Sequence, residues 1–502
     1  MVPTDGLTPR RPGASDAEPA GPVGDAALDP ADAPGAADVA YVRNTALMTA
    51  GTILSRATGL VRVSVLAWAL GVSATSLADT YNTANTAPNI LYELVLGGIL
   101  TSVFVPVFVQ WRQERGREAA WRVADRVLTI ATVLLTALVA LGVAFAPAIA
   151  RLYMPEADEA QLALGTYLLR WFMPQVVFYG IGAIAGGLLN AEGRFAAPMF
   201  APVLNNLVVI ASVVAYASIR GDAPATVADV SGVQRALLGA GTTLGVVAMT
   251  LALWPSLRRT GYRWRPRLET RHPAVRRLVE LSAWVMLYVA ANQVAYAIVV
   301  RIANSLSDGS LTAYQYAFLI FSLPHAVFAV SIITALVPAM AERWTARDRD
   351  GLVERFSRGV RDTIAIMVPA AFGFVALAGP IARIVLQRGL VSAADAELVG
   401  RVLVAFAIGL PFFSVFQLLT RTFYAMQDSR TPAAVNVAAA GVHVATALTL
   451  VEVFDLGIAG AALGHAASYA VATVALLVVL RRRTGSLDGA RIAATLARVV
   501  PV

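Results

Sequence analysis

The chain has 502 residues, of which 57% are hydrophobic and only 14% charged, and its mean hydropathy is +0.65. A soluble domain carries roughly 25% charged residues, and a water-exposed chain of this size has nowhere to hide so much apolar surface, so an ordinary soluble enzyme and a disordered chain are both excluded. The net charge is +8, all basic residues are Arg, and Lys and Cys are absent, which removes a Walker A phosphate loop, Schiff-base chemistry, disulfides and Cys-ligated metals.

Residues 1–42 are rich in Pro, Ala, Gly and Asp and read as a disordered cytoplasmic tail, because they cannot offset the entropy of ordering. They lack the basic start and apolar core of a signal peptide. From position 43 the chain becomes a series of apolar segments, each near the roughly 20 residues a bilayer core requires. The spans read as 43–71, 80–110, 124–150, 162–190, 196–219, 232–256, 275–305, 311–341, 357–386, 396–425, 431–453 and 456–481. The expected fold is thus an all-α integral membrane protein of about twelve transmembrane helices.

Arg clusters fall in alternate loops. Arg112, Arg115, Arg117 and Arg122 follow the second span, and the runs at 258–277 and 342–355 follow the sixth and eighth. Arg481, Arg482 and Arg483 end the twelfth, whereas the intervening loops, such as 73–79, 154–161, 307–310 and 391–397, are short and neutral or acidic. The positive-inside rule then places the N-terminus and the Arg-rich loops in the cytoplasm of a multi-pass inner (plasma) membrane protein. This pattern reads as a topology signal and not as a nucleic-acid surface. His272, His325, His443 and His465 form no H-E-x-x-H pair; neither metal nor cofactor is expected, and no motif marks an enzyme.

The two halves echo each other at about 235 residues, a spacing suited to duplicated transporter lobes. Pro88 and Val105-Pro106 in the second span match Pro324 and Val337-Pro338 in the eighth. LLNAEGRFAAP after the fourth span matches FYAMQDSRTPA after the tenth, with Arg194 against Arg430 and Pro198 against Pro432. Six helices separate the copies, and an even number preserves orientation, so the repeat is parallel. The expected architecture is two six-helix lobes, 43–256 and 275–483, around a central cleft. Residues 484–502 read as the start of a thirteenth helix, because about 13 apolar residues from Ala490 fall short of a bilayer core.

Polar groups inside apolar spans are costly, at about 2.5–3.5 kcal/mol for a central Arg, and they mark candidate sites. The first span holds Arg56 and Arg62, with Gly59 between them to permit a bend that turns both toward one cavity. In the second, Asn82, Asn85, Asn89 and Glu93 fall on one narrow helical face beside Pro88 and read as cavity lining. Glu93 is expected to pair with Arg56 or Arg62. The seventh span offers Asn292 and Tyr296, in step with Tyr288, and then Arg301, as secondary cavity candidates. His325 reads as a satisfied buried His. Gly182/Gly186 and Gly460/Gly464 have the spacing of closely packed helices.

The run SRATGLVR, then Asp79, then NTAPNILYELVLGGILTSVFVPVF, together with LLNAEGRFAAPMFAPVLNN, resembles the signature of the MurJ/MviN family, within the multidrug/oligosaccharidyl-lipid/polysaccharide exporter superfamily. The resemblance covers about 43–500 and implies a lipid II flippase that moves the undecaprenyl-pyrophosphate-linked peptidoglycan precursor outward by alternating access. It also implies roles for Ser55, Arg56, Arg62 and Asp79 in substrate binding. The implied partners are lipid II and membrane lipids, with cell-wall synthesis proteins reached through the cytoplasmic loops or tail. Departures are Tyr92-Glu93 where well-studied members carry an Arg pair, Gly97 where they carry Glu, and Leu319 and Ser322 where they carry Arg and Glu. This pattern looks like an actinobacterial branch. The family has fourteen helices. The rival readings are a related exporter, of drugs by ion antiport or of another lipid-linked oligosaccharide, and a polytopic glycosyltransferase. A cation antiporter wants an acidic cavity, and a glycosyltransferase wants a large external loop.

Overall fold

The computed structural model describes residues 36–94, 105–221, 226–269 and 273–499. Positions 1–35, covering most of the expected tail, and Gly97 lie outside the described residues. Among the described residues eleven helices are long and apolar enough to cross a membrane. The expected second span, 80–110, runs through 95–104, outside them.

The first lobe comprises α1 (Ala36–Leu70), α2 (Leu77–Tyr92), α3 (Val105–Arg115), α4 (Arg117–Ala144), α5 (Ala146–Tyr153), α6 (Glu159–Phe172), α7 (Gln175–Ala191), α8 (Ala196–Arg220) and α9 (Gly232–Arg258). The second comprises α10 (Pro273–Asn304), α11 (Ser310–Pro324), a π turn (His325–Ala329), α12 (Val330–Thr345), α13 (Arg349–Leu386), α14 (Ala393–Ala425), α15 (Arg430–Leu448), a further π turn (Thr449–Val453), α16 (Gly457–Thr484) and α17 (Gly489–Val499).

Several expected spans are broken or shifted, for local reasons. The span at 162–190 divides into α6 and α7 because Pro174, at the N-cap of α7, has no N–H to continue the ladder. The span at 311–341 is interrupted by the π turn that follows Pro324, a common response to a freed carbonyl. The first helix begins earlier than position 43, at Ala36. Starts are set by caps: Asp158 accepts from Gln161 N at 2.7 Å, and Ser231 and Gln234 form a capping box. Outward-facing Ile384, Val474 and Leu141 are 70%, 58% and 55% exposed; this apolar shell is the surface a membrane covers.

The repeat is visible in the turns. Gly193 (φ 72°) and Gln427 (φ 60°) both adopt left-handed backbone after α7 and α14. Arg194 N bonds Leu189 O at 2.8 Å, and Asp428 N bonds Phe423 O at 2.9 Å, so the two helices end in the same way. The acid in each loop is held by Arg: Glu192 by Arg112 and Arg117 at 3.1 and 3.0 Å, and Asp428 by Arg483 at 2.6 Å. In each lobe the first helix packs on the fifth, α1 on α8 and α10 on α15.

Each lobe has its own core, around Tyr81 and Phe172 in the first and around Phe321 and Phe406 in the second. The second core also takes in Ala67 from the end of α1 and Val72 just after it, which joins the lobes. The segment after α16 folds back: Leu487, Ile492 and Val499 pack on the second lobe, and Asp488 accepts from Ser357 Oγ at 2.8 Å.

Candidate functional site

α2 and α11 meet between the lobes, and their polar faces do two different things. At one end they are bonded together. Asp79, in the first turn of α2, is buried and accepts from Gly309 N and Thr312 N, both at 2.8 Å, and from Thr312 Oγ1. It thereby caps α11 across the lobe boundary, supplying orphan N–H groups at a helix start with a carboxylate. Asn82 Nδ2 donates to Thr312 Oγ1 at 2.9 Å, and Asn304 Nδ2 donates to Thr83 Oγ1 at 2.9 Å and to Tyr153 O at 3.0 Å. Asp395 accepts from the Ser73 backbone N–H at 3.1 Å and from its hydroxyl. Leu390 N donates to Trp68 O at 3.2 Å. Gly309 makes this contact possible: it has φ 87°, and a Cβ there would lie 2.8 Å from Ser73 Cα. Among the described residues, most of the hydrogen bonds between the lobes lie in this seam, and Gln315 to Thr86 lies at the cavity end.

Beyond the seam the lobes part around a cavity of about 560 Å³. Its floor is Gln315, whose Nε2 donates to Thr86 Oγ1 at 2.9 Å and to Tyr296 Oη at 3.0 Å. The first lobe contributes Arg56 from α1 and Asn85, Asn89 and Glu93 from α2 and its terminal turn. The second contributes Asn292, Gln293 and Tyr296 from α10, Ser322 from α11, Asn436 and His443 from α15, and His465, Ser468 and Tyr469 from α16. Asn89 Nδ2 bonds Asn85 O at 2.9 Å, and Asn292 Nδ2 bonds Tyr288 O at 3.2 Å. These bonds hold both side chains in place and leave their carbonyl oxygens for a ligand.

Of the residues singled out from sequence, Arg56, Asn85, Asn89, Glu93, Asn292 and Tyr296 line this cavity, and Ser55, Arg62, Asp79, Asn82 and Arg301 do not. Arg62 is half-buried and hydrogen-bonded to Tyr81, with Tyr179 and Tyr316 nearby. α1 stays helical across Gly59, so positions six apart remain about 120° apart around the axis. Asn82 shares the face of Asn85 and Asn89, and Asp79 stands one turn before it; both lie where α11 closes on α2. Ser55 lies toward α8, its carbonyl accepting from Asn206 Nδ2 at 3.3 Å. Arg301 Nη1 donates to Leu152 O at 2.6 Å at the seam end. The expected ion pair of Glu93 with Arg56 or Arg62 is not formed among the described residues. His325 does have a partner, Ser414 Oγ, at 3.0 Å. Leu319 and Ser322 both face the cavity. Sequence reasoning did not single out Asn436, His443, His465, Ser468 or Tyr469; only the packing of α15 on α16 brings them to one wall.

The family model of lipid II flippase MurJ matches residues 66–502. The chain belongs to the MurJ lipid II flippase family. A probable lipid II flippase MurJ of Rhizobium meliloti (strain 1021) is 30% identical over 420 residues, covering 82% of this chain and 76% of the relative. The lipid II flippase MurJ of Burkholderia cenocepacia is 28% identical over 439 residues, covering 86% and 82%. A solved MurJ structure in an inward closed conformation superposes with a TM-score of 0.71 at 21% identity, covering 87% of each chain. An inward-facing MATE family multidrug transporter of the MOP superfamily superposes at 0.69 with 14% identity, covering 86% of this chain and 96% of the other. The two-lobed MurJ architecture is therefore the fold of this chain, and its cavity lies between the lobes.

Proposed function

We propose that this protein carries lipid II from the inner to the outer leaflet of the plasma membrane by alternating access. The observation that supports this most is the asymmetry of the lobe boundary: a polar cavity lined by Arg56 on one side, and a hydrogen-bonded seam on the other. With the Arg-rich loops and the N-terminus in the cytoplasm, the seam lies at the outer side and the cavity serves the inner leaflet.

A pyrophosphate headgroup is far too costly to move through hydrocarbon unaided. Arg56 supplies charge-assisted hydrogen bonds to it. Asn85, Asn89, Asn292 and Asn436 offer donors and acceptors for sugar and peptide, while the isoprenoid tail stays in lipid. Rocking of the lobes then breaks the seam and opens the same cavity outward. With no Lys for a Walker A loop, the driving force is a transmembrane potential or ion gradient. The Arg-rich loops and tail are the surfaces offered to cell-wall synthesis proteins. The test is native mass spectrometry of the full chain in lipid nanodiscs with lipid II against a lipid-linked oligosaccharide lacking the peptide. Preferential retention of lipid II is expected, with retention of both lipids weakened in Arg56→Ala; equal retention of both, indifferent to Arg56, would sink the reading.

A further inference from the structure

His443 and His465 line the cavity but are only 9% and 7% exposed, and headgroup binding by Arg56 does not use them. Their rings lie 5.6 Å apart between centroids and nearly perpendicular, at 81°. Gly464 allows this approach of α15 to α16, since a Cβ there would fall 2.9 Å from Ala447 N and 3.1 Å from His443 O. His443 is hydrogen-bonded to the Ala461 backbone, while its Nε2 has no partner; nor has Nδ1 of His465. An imidazole that gives its one N–H to a carbonyl keeps a free lone pair on the other nitrogen. Two buried rings in contact therefore hold two unpartnered nitrogens, an arrangement that ordinarily carries a cost.

The surroundings of His465 are aromatic. Phe406, Phe318 and Phe321 stand around His465 at 5.3, 5.6 and 5.8 Å between centroids, all nearly perpendicular to it, and Tyr469 is at 4.7 Å. Among the described residues neither ring is ion-paired with a carboxylate. The charged groups on the cavity wall are Arg56 from α1 and Glu93 after α2. The titratable groups facing the pair from α10, α11 and α16 are Tyr296, Tyr314 and Tyr469, with none from α14 or α15 beyond His443 itself. His325 lies behind Phe413, at 4.6 Å. An anion that enters the cavity brings further negative charge beside the pair.

We propose that His443 and His465 form a one-proton site that fills when an anionic headgroup enters the cavity. The proton moves from a hydronium ion in the cavity to one free ring nitrogen, leaving water, and returns to water when the anion departs. The proposal rests on the pyrophosphate reading above. Its consequence is linkage: the anion raises the affinity for the proton, and the proton raises that for the anion by the same factor. Across about 10 Å at an effective dielectric of about 20, each unit of anion charge contributes on the order of tenfold. Carriage of the headgroup thus takes a proton with it.

The test uses the full chain in nanodiscs, isotopically labelled at its four His, with undecaprenyl pyrophosphate as probe. Without probe at about pH 7.5, a pH above the ordinary range of His, both imidazoles should be neutral by nuclear magnetic resonance. With probe, one of the two signals should move to the imidazolium position. Calorimetry in buffers of different ionisation enthalpy should show about one proton taken up per probe bound, a stoichiometry that linkage fixes. His443→Gln and His465→Gln should each abolish this uptake while the probe still binds. Probe binding with both signals still neutral, or uptake equal in the variants and the parent, overturns the proton site. If the probe does not bind, the pyrophosphate reading fails. The site is then decided by probe-free titration to about pH 5, below the ordinary His range: one shared protonation keeps it, and two rings that stay neutral remove it.

Discussion

The two ends of α2 carry similar residues and do opposite work. Asp79, Asn82, Thr83 and Thr86 each find a partner on the second lobe, whereas Asn85, Asn89 and Glu93 face the cavity. The first set behaves like the interior of a folded protein, where buried polar groups are satisfied. The second set is placed for something else to satisfy it. Polarity within an apolar span therefore does not itself identify a binding site; what distinguishes the two ends is whether the neighbouring lobe closes on them.

Removing Asp79 should break the comparison most severely. Asp79→Ala leaves the Gly309 and Thr312 donors buried without an acceptor, at about 1–3 kcal/mol for each group, and should release the seam. Spin labels at Ala74→Cys and Ser392→Cys should report a longer and broader distance distribution; an unchanged distribution would show that Asp79 does not hold the lobes together. Arg56→Ala should act in the opposite way. It breaks no ion pair among the described residues, so thermal stability should hold, while lipid II affinity falls by roughly ten- to a hundredfold, the worth of a charged hydrogen bond. A drop in melting temperature as large as that of Asp79→Ala would place Arg56 with the structural set instead.

Gly309→Ala sharpens the seam side. A Cβ at φ 87° and 2.8 Å from Ser73 Cα requires backbone to move, so about 1–3 kcal/mol of strain is expected. Increased labelling of a Cys at Ser73 would register the loosened contact, and labelling identical to the parent would refute it. The smallest effect should come from Glu93→Gln. Glu93 is not ion-paired among the described residues, so its loss should leave melting unchanged and, by removing a repulsive charge, tighten a pyrophosphate lipid by about two- to fivefold. Weakened binding would mean that Glu93 contacts the headgroup favourably. Glu192→Gln makes the control: that acid is held by both Arg112 and Arg117, and its loss should lower stability and leave binding alone.

Sequence by itself determined the solvent, the helical class and the repeat. Apolar runs of bilayer length leave a chain few choices, and the spacing of Pro88 with Pro324 and of Arg194 with Arg430 exposed the duplication before any contact was known. It also singled out Arg56, Asn85, Asn89 and Glu93, which line the cavity, because a polar group in a lipid-facing span is costly enough to stand out. Tertiary structure decided the rest. Helical periodicity gives the face of a helix but not the depth at which a neighbour closes on it, so Asn82 could not be told from Asn85 and Asn89. The azimuth of Arg62 relative to Arg56 depended on whether α1 was interrupted at Gly59, and it remained helical. His443 and His465 lie on different helices, and no spacing rule joins them. They meet because Gly464 brings two backbones together, a fact of packing that local sequence does not encode.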